Sequence, residues 1–70
     1  MKKYAVVIEK GPRNFAAHVP DLPVILVSGK TVAQVTRRVE RAIALYAEDC
    51  ALHGRAMPAP TTRVKELAAA

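Results

Sequence analysis

The sequence predicts a single α+β domain spanning residues 1–70, with a three- or four-stranded, mainly antiparallel sheet and one long helix on one face, in the order β-β-β-α-β. Two observations support this prediction. The first half of the chain consists of short runs rich in valine and isoleucine, separated by glycine and proline, as is typical of strands and turns. The second half contains a long stretch in which apolar residues recur every three or four positions, as they do on the buried face of a helix.

The predicted strands come first. Residues 3–10 form one strand, residues 10–14 form a turn, and residues 15–19 return antiparallel to the first strand. The two prolines within residues 20–23 lack the N–H that a sheet ladder requires, so this segment is expected to break the sheet and redirect the chain. Residues 24–27 then form a third short strand.

The long helix is predicted for residues 32–53. Thr31 and Gln34 fit a capping box, in which their side chains bond the exposed N–H groups of the first turn. Gly54 is expected to end the helix in the left-handed conformation. At about 33 Å, the helix is longer than a four-residue strand needs, so its C-terminal half should extend beyond the sheet or meet another subunit. The apolar stripe consists of Val32, Val35, Val39, Ala42, Ile43, Tyr46 and Cys50.

The C-terminal residues continue the predicted order of elements. Residues 57–62 are expected to be an extended connector, because each proline disfavours the helical conformation in the residue before it. Residues 63–67 are predicted to be a short edge strand, and residues 68–70 to be frayed.

The sheet is expected to have two apolar faces. One face carries Tyr4, Val6 and Ile8. The other carries the small or apolar residues that alternate with them, together with either the Val24/Leu26 or the Ile25/Val27 pair. A single helix covers only one face, so the second should pack on another copy of the chain or on a partner. The predicted self-association residues are Ala5, Val7, Ala16 and His18.

The size of the chain also favours association. A domain this short buries only about 60% of the surface of its unfolded chain. A single cysteine, Cys50, excludes an internal disulfide, and it falls on the helix stripe, where it acts as a small hydrophobic residue. No Cys/His cluster indicates a structural metal, and no cofactor is expected. A homo-oligomer, either a dimer or a tetramer, is the expected state.

The formal net charge is +5, and three arginines lie near the start of the predicted helix: Arg37, Arg38 and Arg41. One interpretation is an ordinary solvated face. The other is a patch for RNA, DNA or an acidic partner, which Lys30, Lys10 and Arg13 could extend. No aromatic residues interleave with these charges, so base-specific recognition is not expected.

The sequence gives little support for catalysis. His18 and Asp21 are three residues apart across a proline, with no nucleophile placed nearby, and His53 is expected to cap the last helical turn. A two-metal nuclease needs several converging carboxylates. Glu9 and Asp21 could approach each other, but no third carboxylate is evident. The chain is therefore not expected to be an enzyme.

No apolar run reaches the roughly 20 residues that a transmembrane helix needs. The apolar run of residues 4–8 is also too short for a signal peptide. A cytoplasmic protein without membrane contact is expected.

Three segments together resemble the small HicB-like antitoxin domain of toxin–antitoxin systems. They are residues 3–11, the bend Val19-Pro20-Asp21-Leu22-Pro23 with the following residues 24–34, and residues 57–64. Their order and spacing extend the resemblance over essentially the whole chain. The chain resembles a short, single-domain member that lacks the family's C-terminal DNA-binding domain.

The resemblance implies a partial ribonuclease-H-like fold without nuclease activity. It also implies binding to a small HicA-type toxin, an mRNA-cleaving protein whose active site the antitoxin blocks. Members of the family commonly form dimers or tetramers. The expected partner contact is the bend formed by Pro20, Asp21, Leu22 and Pro23. The alternative is a small basic protein that binds nucleic acid through Arg37, Arg38 and Arg41.

Overall fold

A computed structural model describes residues 2–70 and confirms the α+β fold. A three-stranded antiparallel sheet consists of β1 (Val7–Lys10), β2 (Phe15–Val19) and β3 (Leu22–Gly29), arranged in the order β1-β2-β3. The single helix, α1 (Val32–Leu52), packs against β2 and β3 on one face of the sheet. The opposite face of the sheet carries no element of this chain within the described residues.

β1 is shorter than the predicted strand of residues 3–10. Its ladder with β2 begins where Val7 pairs with His18. Residues nearer the N-terminus would have to pair beyond His18, where the β2–β3 register shifts and the chain turns back after Val19. They therefore have no regular partner strand, although Tyr4 and Val6 still pack against the core.

The break expected at residues 20–23 is confirmed only in part, because the chain is redirected there but the sheet continues through Leu22 and Pro23. Pro20 and Asp21 form a tight turn, Leu22 pairs with Val19, and β3 runs through Pro23. A proline is tolerated there because β3 is an edge strand, whose outer N–H positions need no ladder partner. No residue of the turn has positive φ, so it is not one of the primed turns whose twist matches that of a hairpin. We attribute the register shift between His18 and Val19 to this mismatch.

The helix begins and ends as predicted. The Thr31 hydroxyl accepts the N–H of Gln34 at 3.0 Å, and the Gln34 amide oxygen accepts the N–H of Lys30 at 2.8 Å. At the other end, Gly54 has φ 66° and the N–H of Arg55 donates to the carbonyl oxygen of Cys50 at 2.8 Å. This is the Schellman arrangement, in which a left-handed residue closes the last carbonyls.

The fourth strand predicted at residues 63–67 does not form, and every residue from 58 to 70 is exposed. Residues 57–62, which we call the strap, instead fold back across the start of the chain and the β2–β3 turn. Met57 packs against the core, as does Tyr4. Side-chain hydrogen bonds hold the strap, and they leave residues 63–67 without an adjacent strand to pair with.

The core lies between α1 and the inner face of β2 and β3. Val19, Leu22 and Val35 are fully buried at its centre. The structure decides between the two β3 pairs that the sequence left open. Ile25 faces the helix and is 5% exposed. Val27 packs beside it, so the neighbouring Val24/Leu26 pair faces outward.

Candidate functional site

The face of the sheet opposite α1 is the first candidate surface, and we call it the outer sheet face. Strand pairing places Val7 beside His18 and His18 beside Leu26, and Ala16 pairs with Ser28 along the same strands. Val24 lies two residues before Leu26 on β3 and therefore shares its face. Three of the four predicted self-association residues, Val7, Ala16 and His18, thus lie on one surface.

The outer sheet face exposes two large apolar side chains that the sequence alone did not assign. Val24 is 75% exposed and Leu26 is 73% exposed. Both lie on the edge strand β3 and form an apolar patch there, and His18 separates Leu26 from Val7 across the sheet. Ala5, the fourth predicted self-association residue, lies just before β1 and is half-buried.

The bend at residues 20–23 presents fewer groups to a partner than its sequence suggests. Leu22 has 0% exposure because it fills the centre of the core. Pro20 is half-buried, and Pro23 is the exposed residue of the four. Leu22 therefore anchors the bend, while Pro23 and the edges of Pro20 and Asp21 form its surface.

Asp21 contacts the strap rather than solvent alone. Its Oδ2 accepts the N–H groups of Thr61 at 3.2 Å and Thr62 at 3.1 Å. Its Oδ1 accepts the two hydroxyls, that of Thr61 at 3.1 Å and that of Thr62 at 2.9 Å. The N–H of Thr62, followed by the other three donors, lowers the pKa of the Asp21 carboxyl below its ordinary value, although partial desolvation opposes this shift. The sequence indicated a turn-forming aspartate but gave no sign of partners 40 residues away.

Two residues near the N-terminus also bind the strap. The Lys2 ammonium donates to the Met57 carbonyl oxygen at 2.8 Å, and the Tyr4 hydroxyl donates to the Pro58 carbonyl oxygen at 2.6 Å. Desolvation, with a smaller contribution from the nearby Asp21 carboxylate, raises the pKa of Tyr4. These bonds fix the strap beside the bend and make the two segments one surface.

A groove of about 870 Å³ lies between the N-terminal residues and α1, and sequence reasoning missed it. Tyr4, Val6 and Ile8 form one wall, Val39 and Ile43 the other, and Met57 also lines it. The groove exists because α1 packs mainly on β2 and β3, which leaves a gap between the helix and the edge strand β1. The one feature of the sequence that could have indicated the groove is the apolar run of residues 4–8, because its first residues have no predicted strand to pair with.

The three helix arginines do not act as one cluster. Arg37 and Arg41 are one turn apart and exposed, as predicted for a solvated face. Arg38 instead reaches across to the sheet, where its guanidinium donates to the Ser28 carbonyl oxygen. There it lines a polar cleft of about 500 Å³, the basic cleft, whose walls are Arg13, Asn14, Ser28, Gly29, Lys30, Gln34 and Arg38.

The carboxylates do not converge. Glu9 lies on β1 and pairs with Ala16 near the start of β2, whereas Asp21 lies in the turn after Val19, at the other end of β2. The stretch of β2 from Ala16 to Val19 alone separates them by about 10 Å at the rise of a strand. The expectation that they could approach each other is therefore wrong. Asp49 bonds Arg55 at 2.7 Å and contacts His53 at 3.3 Å, which places His53 at the helix end as predicted. Within residues 2–70, no group of three His, Cys, Asp or Glu side chains is placed to bind a metal ion.

The chain was compared with known proteins through family models, curated sequences and solved structures. No family model, no curated protein and no solved structure matches it. In the part of the chain that the structure describes, no helix combines the length and apolar character needed to cross a bilayer.

Proposed function

We propose that this chain is a non-catalytic antitoxin-type protein of the HicB-like kind. It binds and neutralises a small HicA-type mRNA-cleaving toxin through a protein–protein interface, and it acts as a homo-oligomer. The observation that carries the proposal is the outer sheet face, where Val24 and Leu26 are about three-quarters exposed and Leu26 pairs with His18.

The apolar patch on the outer sheet face is best explained as an interface. Isolated apolar residues are common on protein surfaces, but adjacent ones on an exposed edge strand are an aggregation hazard unless a partner covers them. The chain has few large side chains in its core, with Val19, Leu22 and Val35 the largest that are fully buried. Association would supply apolar burial that this small core lacks.

The two candidate surfaces are assigned different roles. The outer sheet face, with Ala5, Val7, Ala16 and His18, is the proposed surface for self-association. The bend, formed by Pro20, Asp21, Leu22 and Pro23, is the proposed contact for the toxin, with Pro23 and the edges of Pro20 and Asp21 as its exposed part and Leu22 as its buried anchor. Four hydrogen bonds from the strap to Asp21 hold the bend in one conformation. The bend would therefore lose little conformational entropy when it binds the toxin.

The distribution of acidic groups supports binding rather than hydrolysis. A two-metal nuclease site needs carboxylates that share metals about 4 Å apart. Glu9 lies on β1 opposite Ala16 and Asp21 lies in the turn after β2, and the oxygens of Asp21 already accept bonds from two threonines.

The proposal is tested by affinity capture of the tagged chain from its host, with and without ribonuclease and deoxyribonuclease. A captured protein counts as the toxin if it cleaves mRNA by itself and if the purified chain inhibits that cleavage. Pro23→Glu places a charge on the exposed part of the bend and should reduce both capture and inhibition. Pro12→Glu is the matched control, because Pro12 is also exposed and lies in the turn at the other end of the sheet.

Two outcomes contradict the proposal. If the only captured material is nucleic acid, or proteins that are lost after nuclease treatment, the chain is not acting through a protein interface. If a toxin is captured equally by the Pro23→Glu and Pro12→Glu variants, the bend is not its contact surface.

A further inference from the structure

We infer that the basic cleft binds the phosphodiester backbone of nucleic acid, without base-specific recognition. The cleft lies at the end of the sheet opposite the bend, so this inference is independent of the proposed toxin contact. It rests on the convergence of three cationic side chains from different parts of the chain: Arg13, Lys30 and Arg38.

The three cations are brought together by the fold. Arg13 comes from the β1–β2 turn, Lys30 from the residue before the helix cap, and Arg38 from the second turn of α1. The bond from Arg38 to the Ser28 carbonyl oxygen holds its guanidinium over the cleft, and a guanidinium has further N–H donors available for another acceptor. A site that positions an arginine in this way suits an oxygen anion.

No carboxylate neutralises these cations. Glutamate and aspartate are absent from the walls of the cleft. The salt bridges within residues 2–70 are those of Asp49 with His53 and Arg55, at the far end of α1. Arg13, Lys30 and Arg38 are all exposed, so their charges remain available to an anion.

The chemistry of the walls favours phosphate over an acidic protein surface. Besides the three cations, the cleft is lined by the polar side chains of Asn14, Ser28 and Gln34, and it has no aromatic or large aliphatic residue. Binding sites for proteins usually centre on a buried apolar or aromatic anchor, whereas phosphate contacts use Arg, Lys and small polar side chains. The cleft also offers no aromatic platform on which bases could stack.

The expected salt dependence follows from the number of cations. Three phosphate contacts give a slope of about −2.7 in log K against log salt on duplex DNA, and about −2.1 on a single strand. Raising salt from about 50 to about 200 mM should therefore weaken duplex binding about 40-fold and single-strand binding about 20-fold.

The test measures fluorescence anisotropy of labelled RNA and DNA oligonucleotides, single-stranded and duplex, titrated with the full chain. The double variant Arg13→Gln/Lys30→Gln leaves the Arg38 bond intact. It should weaken binding at low salt by at least about tenfold and reduce the magnitude of the slope by about 1.8 on duplex DNA. The matched control, Arg63→Gln/Lys65→Gln, removes the same charge from exposed residues outside the cleft and should retain most of the affinity and the slope.

Three results would overturn the inference. One is the absence of binding by the wild-type chain to any of these oligonucleotides at low salt. Another is an equal loss of affinity in the cleft and control variants, which would indicate only non-specific attraction to net charge. The third is equal binding of a labelled polyglutamate peptide with the same dependence on Arg13 and Lys30, which would assign the cleft to acidic protein segments.

Discussion

Replacing Val24 and Leu26 together by threonine should strongly weaken self-association while leaving the monomer folded. Both side chains are about three-quarters exposed in the single chain, Val24 at 75% and Leu26 at 73%. Complete burial of such a side chain stabilises by about 1.5–3 kcal/mol, so each has roughly 1–2 kcal/mol still available for an interface. Threonine is itself β-branched, a shape that suits a strand, so the strand should be preserved at both positions.

The expected magnitude follows from symmetry. A two-fold dimer through the outer sheet face buries both side chains of both copies, or about 4–8 kcal/mol in total before the costs of association. Threonine keeps part of the apolar surface, so the double variant should lose about half of this interface stabilisation, roughly 2–4 kcal/mol. That loss corresponds to a dimer Kd raised by about 30-fold to 1,000-fold.

Sedimentation velocity over a series of protein concentrations measures this Kd, and urea unfolding monitors the monomer. Unfolding of the monomer should change by no more than about 0.5 kcal/mol, because both positions are exposed within it. The matched control is Val64→Thr/Leu67→Thr, since those residues are 72% and 81% exposed but lie beyond the strap. The reasoning is refuted if both double variants associate like the wild type, or if the wild-type chain stays monomeric at the highest concentration.

Three further predictions concern the fold. Leu22→Ala should lower the free energy of unfolding by about 2–5 kcal/mol, because Leu22 is fully buried, and urea denaturation checks this value. Gly29→Ala should also destabilise, since its Cβ would lie 3.0 Å from Cγ2 of the fully buried Val35 and 2.9 Å from the side-chain oxygen of the capping Gln34. Loss of helical circular dichroism on mild heating would show it, and an unchanged melting temperature would contradict it. Asp21→Asn should speed exchange of the Thr61 and Thr62 amide hydrogens at neutral pH. In the wild type, the lowered pKa of Asp21 means that the carboxylate stabilises the fold fully above the ordinary aspartate pKa of about 3.9. This stabilisation is lost as the pH falls through the lower pKa of the folded state. Exchange rates that are the same with and without Asp21 at every pH would contradict this prediction.

The elements that depend on near neighbours could be predicted from the sequence. Thr31, Gln34 and Gly54 act within one or two turns of their own positions, so the sequence located both ends of α1. The β1–β2 hairpin and the apolar stripe of the helix likewise follow from short-range periodicity. The two-sided character of the sheet was also predictable, because side chains alternate along any strand.

Features that depend on distant parts of the chain could not be predicted. The sequence indicates only that Asp21 forms a local turn, yet its carboxylate oxygens accept hydrogen bonds from Thr61 and Thr62. The fourth strand predicted at residues 63–67, just after these threonines, does not form. The basic cleft forms only when Arg38 reaches the sheet edge, so spacing along the helix suggested a patch with Arg37 and Arg41 instead.

The sequence by itself determined the α+β class, the order of the first four elements and the boundaries of the helix, because these are set by backbone preferences and hydrophobic periodicity over a few residues. The tertiary structure alone decided that Val24 and Leu26 face outward, that Leu22 is buried within the bend, and where the strap lies. The reason is that register, packing and long-range hydrogen bonds depend on which segments meet, and a one-residue change of register transfers every side chain of a strand to the other face.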